Sequence, residues 1–578
     1  MLKLQAIQWE RIYLKPVITA DNNEYEDTDL HFYLVNSFDE VRAEFSILDV
    51  KDNTASLLLN ITNDGTNQCI ENGNYRIILS SGCSVIGSVL YDGGNETLSL
   101  WNNHFLYGNN SGCYTVTFMT DQFKDDPELN IIILDTSRKG AILSQQAKQA
   151  VNQSFQKRKQ KLINHLKKTR STLRRLLYRL MRSKTNNTIL FLSEMDDHLA
   201  PNMSAIYERM KERGLDKEFK ISFFLERKTE EHYSVRSAIK RTLAVCKADI
   251  ILIDDHVSFF DNFKLADNVK LIQIWHAGAG FKGVGYSRWG HYGCPPPFSC
   301  HRQYTYCISG SKSINHFFSE QFGILDEQII PTGMPRMDQY MDPARRKEVT
   351  DQLYQNYPFF KGKQIILFAP TYRGQGRKTA YYPFNLIDFQ ALYQYCTEQD
   401  AVVLFKMHPW VSDPVPIPEE LHDRLFDMKS DANINDLFYI TDLLITDYSS
   451  SMYEFLLMNK PMLLFPFDKN QYSVSRGFHR DYDSNVPGKI CMSFDELMTA
   501  LRNRDYEYEK VSSFLSYYFD QVDTSNCDRV IDWLILDQLP AEYKTALTSK
   551  REHINNVRNL IIHRSNSSPL NDAVVTHN

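Results

Sequence analysis

Four short stretches place phosphate- and proton-handling residue types just past the ends of apolar runs. "LIQIWHAG" (271–278) closes on His276, "AVVLFKMHP" (401–409) on Lys406 and His408, and "ILFAPTYRG" (366–374) on Thr371 and Arg373. "LLITDYSSSMYEF" (443–455) runs through Asp447 into Ser449, Ser450 and Ser451. Histidine exchanges protons near neutral pH, arginine offers a planar fork of donors, and lysine offers a point charge. A chain leaving a strand for a helix adds free N–H groups that favour an anion. A single histidine after a strand is more often structural, but the coincidence of all four stretches suits an anionic ligand and a proton transfer.

The serine run needs a finer reading. Ser451-x-x-Glu454 has capping-box spacing, and Lys460-Pro461 reads as a helix stop. A cap accounts for Ser451, at about 1 kcal/mol. It leaves Ser449 and Ser450, which precede the cap, to bond a phosphate.

Two other stretches are less specific. "AGAGFKGVG" (277–285) has neither dinucleotide-fingerprint nor P-loop spacing, but its four glycines beside Lys282 allow close backbone approach to a ligand. "RWGHYGCPPPFSCHRQY" (288–304) reads either as a lining of an acceptor path or as a packed surface loop, so His291 and His301 are not counted as site residues. Cys294, Cys300 and Cys307 with His301 lack the C-x2-C pairing of zinc sites, and no paired-carboxylate motif accompanies the strand ends. No metal and no cofactor are expected.

These ends must be held by sheets. Between 187 and 345, and again between 346 and 545, short apolar runs alternate with helical stretches in the βαβ rhythm of a buried parallel sheet. Two doubly wound α/β domains in tandem are the economical reading, with ligands beyond the carboxyl ends of the strands. Residues 1–145 show short alternating strands and turn clusters and are expected to form an antiparallel β-sandwich accessory domain. A polar tail is expected over 546–578.

Composition sets outer bounds. The 578 residues, 43% hydrophobic with net charge −6, suit about three or four globular domains. No run of about 18 apolar residues and no signal-peptide pattern is present, so a cytoplasmic chain is expected. Ten cysteines over this length are not a disulfide framework.

The linker 146–186 stands apart in charge. Residues 157–184 hold twelve Lys or Arg and no acidic residue, with Leu162, Leu166, Leu173, Leu176, Leu177 and Leu180 at helical spacing. An amphipathic basic helix on an anionic membrane surface is the leading reading, ahead of a solvated linker and of nucleic acid, which is set aside.

Taken in order, "LIQIWHAGAGFKGVGYSR", "IIPTGMPRMDQY", "ILFAPTYRG", "YYPFNLIDF", "AVVLFKMHPWV", "LLITDYSSSMYEF" and "KPMLLFPFD" resemble the CDP-glycerol/CDP-ribitol polyol-phosphate transferases of teichoic acid synthesis. The glycine-rich continuation of "WHAGAGFKGVGYSR" and the opening "IQWERIYLK" look like the ribitol-phosphate polymerase branch. The resemblance covers roughly residues 185–540. It implies a GT-B fold, with an acceptor-side domain over 187–345 and a donor-side domain over 346–545. The implied reaction moves ribitol or glycerol phosphate from CDP-ribitol or CDP-glycerol to a hydroxyl on a lipid-linked teichoic acid chain at the cytoplasmic face of the membrane, releasing CMP.

By the same resemblance, His276 is the candidate general base, His408 lies near the donor diphosphate, and Asp447, Ser449 and Ser450 form a diphosphate-binding turn. Arg373 and Lys406 join the set from charge and position. A GT-B glycosyltransferase using a nucleotide sugar is the alternative, and the oligomeric state is left open.

Overall fold

The computed structural model describes residues 1–20, 30–81, 84–108, 112–120, 127–135, 178, 187–195, 197–227, 235–276, 278–291, 294–374, 379–429, 432–475, 477–564 and 573–577. The basic segment 157–184 lies outside the described residues except for Tyr178. That ring is buried against Phe263 of the first α/β domain (4.9 Å between centroids), and its hydroxyl accepts the Ala266 N–H at 3.1 Å.

The N-terminal strands alternate buried and partly exposed residues, as in Tyr13–Ala20 and Thr54–Asn60, because each covers a core with one face only. Their pairing is not a sandwich. Strands β1 (Leu2–Glu10), β2 (Tyr13–Ala20), β3 (Leu30–Asn36), β4 (Val41–Lys51), β5 (Thr54–Asn60), β6 (Gly73–Ser81) and β7 (Ser84–Leu90) close into a barrel in the order β7-β1-β2-β5-β4-β3-β6. Two features close it. β7 pairs with β6 and, in parallel, with β1, while the first half of β4 pairs with β3 and the second half, from Ser46 on and through a bulge at Ile47–Asp49, with β5. Burial alternates identically in a sandwich and a barrel, so period-2 patterning cannot tell them apart. Strands β8 (Asn103–Tyr107), β9 (Gly112–Thr120) and β10 (Leu129–Asp135) extend the sheet beyond β6.

The first α/β domain is a parallel sheet of β11 (Thr188–Ser193), β12 (Lys220–Leu225), β13 (Ile250–Ile253), β14 (Lys270–Gln273), β15 (Tyr306–Ile308) and β16 (Ile329–Ile330), ordered β12-β11-β13-β14-β15-β16. The second contains β17 (Gln364–Phe368), β18 (Ala401–Phe405), β19 (Leu425–Asp427), β20 (Leu443–Thr446), β21 (Met462–Leu464) and β22 (Lys489–Ile490), ordered β19-β18-β17-β20-β21-β22. Strands such as Ala401–Phe405 and Leu443–Thr446 are buried at every position, which is why they read as unbroken apolar runs. Strand order reverses between β11 and β13 in the first sheet and between β17 and β20 in the second, which opens a crevice at each carboxyl edge.

Chain segments cross between the units. Residues 526–535 return to the first domain, where Asp528 pairs with Arg209 and Arg213. Asp338 there accepts the Asn526 and Cys527 N–H groups at 2.8 and 2.7 Å. Gly333 (φ +77°) is required at this crossing, since a Cβ would lie 1.6 Å from Asn526 Oδ1. Ala541–Arg558 is an 18-residue helix that packs Leu547, Ile554 and Val557 inward and pairs His553 with Glu44 of the barrel. The following strand Leu560–Arg564 pairs with Ala573–His577, which joins β7.

Candidate active site

At the first sheet edge, the chain leaves β14 through Trp275, whose φ of +47° is rare for a bulky residue and costs on the order of 1–3 kcal/mol. The surroundings over-determine it. Trp275 is buried, its N–H donates to Gln273 Oε1 (2.9 Å), and its carbonyl accepts from Asn202 Nδ2 (2.7 Å). Gln273 in turn donates to the Tyr304 hydroxyl at 2.9 Å. The next residue, His276, keeps 54% of its side chain exposed.

His276 Nδ1 lies 3.3 Å from the Asp254 carbonyl and 3.7 Å from the Asp255 carboxylate. Both neighbours only accept, so in the neutral ring Nδ1 carries the hydrogen and the lone pair is on Nε2. Asp254 accepts from Ser193 Oγ at 3.0 Å, and its other oxygen is buried without a hydrogen-bond partner among the described residues. Burial raises its pKa.

The second edge treats charge differently. The Arg373 guanidinium is almost fully buried and donates to Asp447 at 2.9 Å and, as a fork, to Asp468 at 2.6 and 2.7 Å. Asp447 is 0% exposed and also accepts the Thr371 N–H at 2.7 Å and the Tyr448 N–H at 2.5 Å. Lys406 donates to the Met428 and Lys429 carbonyls at 2.9 and 2.8 Å, tying β18 to the end of β19. Sequence position thus brings Arg373, Lys406 and Asp447 to the edge, but protein groups occupy the contacts they make there. His408 forms an aromatic group with Tyr372 (4.7 Å) and the partly exposed Trp410 (5.3 Å), and its Nδ1 accepts the Trp410 N–H at 3.2 Å.

The serine turn departs from the capping-box reading. The helix spans Ser451–Phe455 with Ser450 as the preceding cap residue, and the Ser450 hydroxyl caps nothing. Ser449 Oγ receives the Ser451 N–H at 3.3 Å and lies 2.7 Å from Ser451 Oγ. Glu454 does not reach back to the turn. It pairs with Arg336 and accepts from Asn435 Nδ2 at 2.9 Å. Ser449 takes the capping role expected of Ser451, and Ser449 and Ser450 are both partly accessible.

The two less specific stretches pack closely against their neighbours. Gly285 (φ +55°) would place a Cβ 2.1 Å from the Gln321 carbonyl, and Gly280 one 2.8 Å from Phe317 Cβ, so these glycines admit the helix Asn315–Phe322. The proline-rich loop joins the barrel to the first domain. Trp289 packs in the barrel core against Tyr107, and Arg302 lies 3.9 Å over the Tyr286 ring while donating to the carbonyls of Thr62 and Gly323. His301 is buried, with Nδ1 2.7 Å from the Tyr304 hydroxyl, and burial pushes its pKa well below the ordinary value.

Asn202, Gln273, Asp254, Asp255 and Arg336 are not singled out by their sequence patterns, and Glu454 is singled out only as a capping-box partner. "IDDH" at the end of β13 was the one visible signal, two carboxylates just past a strand. The others act through tertiary neighbours that spacing does not encode.

A family model for CDP-Glycerol:Poly(glycerophosphate) glycerophosphotransferase matches residues 175–536. The chain is 38% identical over 354 residues to the teichoic acid ribitol-phosphate polymerase TarK of Staphylococcus aureus (strain NCTC 8325 / PS 47), covering 61% of this chain and 69% of that one. It is 39% identical over 349 residues to TarL, a teichoic acid ribitol-phosphate polymerase of the same strain, covering 60% and 62%. It is 37% identical over 363 residues to the teichoic acid poly(ribitol-phosphate) polymerase of Bacillus spizizenii (strain ATCC 23059 / NRRL B-14472 / W23), covering 63% and 58%. The matched stretch therefore spans between 58% and 69% of these relatives' lengths. The solved structure of the wall teichoic acid polymerase TagF shares the fold, with a TM-score of 0.50 and 22% identity over 68% of this chain and 98% of that one. The paired α/β domains are thus GT-B-like. With one model matching well over half of it, the chain belongs to the CDP-glycerol:poly(glycerophosphate) glycerophosphotransferase family.

Proposed function

We infer that the chain transfers a polyol phosphate, ribitol phosphate ahead of glycerol phosphate, from a CDP-polyol to the terminal hydroxyl of a lipid-linked teichoic acid chain. The observation that carries this reading is His276, an exposed imidazole with Nδ1 turned inward, set against a second edge that offers hydroxyls. His276 Nε2 takes the proton of the acceptor hydroxyl, whose oxygen attacks the polyol-bearing phosphorus of the donor. A phosphodiester forms, the bond to the bridging oxygen of the diphosphate breaks, and CMP leaves. Phosphoryl transfer asks the protein for positioning, charge stabilisation and a base. Ser449 and Ser450 contact the diphosphate, with His408 beside it. Asp447, Arg373 and Lys406 hold the strand ends that present these groups. The polymerase names of the relatives support repeated transfer and favour a CDP-polyol over a nucleotide sugar.

A donor panel scored by CMP release tests the assignment. Turnover is expected with CDP-ribitol and a polyol-phosphate acceptor. UDP release from a UDP-sugar, or no CMP release from CDP-ribitol or CDP-glycerol, overturns it.

The chain works at the cytoplasmic membrane face through the basic segment 157–184. Among the described residues, no helix is long and apolar enough to cross a membrane. Binding to anionic vesicles should fall with salt and on converting Arg174, Arg175 and Arg179 to Glu. Unchanged binding returns the segment to a linker.

A further inference from the structure

The strained turn that carries His276 is also gripped by a side chain that reaches the second domain. Arg336, from "TGMPR", donates through its terminal nitrogen to the His276 carbonyl at 3.0 Å and pairs through the same nitrogen with Glu454. Both side chains are only 12% exposed. The Arg336 N–H donates to Asn202 Oδ1 at 3.1 Å, and Asn202 holds the Trp275 carbonyl, so backbone and side chain of Arg336 serve the same turn. On the far side, Glu454 lies three residues after Ser451 in the helix that begins at the serine turn. A single guanidinium therefore touches the backbone of the proton acceptor in the first domain and the helix bearing the serine turn in the second.

We propose that Arg336 and Glu454 form a positioning bridge that sets His276 in register with the serine turn across the interdomain crevice. The proposal rests on reading His276 as the base and the serines as donor contacts. Stability alone is a poor reason for the pair, because a buried ion pair gains little over well-packed apolar side chains, whereas its geometry is directional. The planar terminal nitrogen of arginine points two hydrogens along fixed directions at two acceptors, a constraint that a rotating ammonium on a shorter stem does not reproduce. Glu454 is free for this role because it is withdrawn from the helix cap, where its sequence spacing would place it.

The test compares Arg336→Lys, Glu454→Gln and the charge swap Arg336→Glu/Glu454→Arg with the parent enzyme by CMP release, donor KM and thermal melting. Misplacing a reacting group by about 1 Å costs about 10²-fold. Both single variants should therefore lose kcat on that scale with donor KM nearly unchanged. The swap should regain melting temperature but not kcat, because a carboxylate at position 336 cannot donate to the His276 carbonyl. A Lys variant with parental kcat, kcat losses that follow melting in every variant, or full recovery of kcat in the swap each overturn the bridge.

A second readout needs no turnover. Modification of His276 by diethyl pyrocarbonate, followed by peptide mass spectrometry, should speed up severalfold in Arg336→Lys, and an unchanged rate also overturns the bridge. If the parent enzyme releases no CMP, the functional reading fails, and this modification rate judges the bridge by itself.

Discussion

The two sheet edges solve opposite problems with similar strand ends. The first leaves one titratable ring half in solvent, mounted on a strained backbone and steered by acceptors at Nδ1. The second sinks its charges, locking Arg373 between Asp447 and Asp468, and leaves Ser449 and Ser450 partly accessible. A base must meet its substrate and so stays exposed. A buried charge must be paired and is therefore better suited to fixing where uncharged groups point. Sequence position alone ranked all of these residues as ligand contacts, and burial separates them.

His276→Ala should break the contrast most sharply. Loss of a general base lowers turnover by about 10²- to 10⁴-fold, and CMP release should show this with melting nearly unchanged, since half the side chain is exposed. Turnover that survives would remove the first edge from the chemistry.

Arg373→Gln should act on stability. Stripping the cation leaves the buried Asp447 and the partly buried Asp468 uncompensated, at a cost of about 3–5 kcal/mol, read as a lower melting temperature. A stable variant that has lost only donor affinity would instead make Arg373 a direct phosphate contact.

The serines offer a finer division. Ser450→Ala should raise donor KM by about 10-fold or more, as for loss of a hydrogen bond to a charged group, with no change in melting. Ser449→Ala should raise donor KM and also lower stability by about 1 kcal/mol, because Ser449 Oγ accepts the Ser451 N–H. Equal melting losses with unchanged KM would reduce the turn to a cap.

The smallest effect concerns the junction where both α/β domains meet the barrel. Glu320 of the first domain accepts from Arg11 and Tyr13 of the barrel at 3.1 and 2.8 Å and meets His479 and Arg480 of the second domain at 2.5 and 3.1 Å. Burial lowers the His479 pKa to about 4, with Arg480 and Arg11 adding to this and Glu320 opposing it. An unfolded histidine titrates near 6.5, so below that pH the unfolded chain takes up a proton that the folded chain refuses. Stability should therefore fall as pH drops from about 6.5 towards 4, and His479→Gln should flatten this part of the melting-temperature profile. A variant profile parallel to the parent's would dismiss His479 as the source. Burial raises the Glu320 carboxyl, but His479 and the arginines outweigh it and bring its pKa to about 2, so its share is lost only below about 4.5.

Apolar runs buried on both faces fixed the parallel sheets, and their ends fixed that His276, Arg373, His408, Asp447 and the serines would follow strand ends, because strand length and period are local properties. Barrel closure was not legible, since alternation reports one covered face and not which strand lies beside it. Two Ser-x-x-Glu segments show the same limit. Ser493 caps its helix by accepting the Glu496 N–H at 3.2 Å, as the spacing predicts. Ser451 does not, because Arg336 from the other domain draws Glu454 away. Local spacing determined what each segment could do, and tertiary contact decided which partner won, because a largely buried cation outcompetes a backbone N–H, here already held by Ser449 Oγ, for a carboxylate.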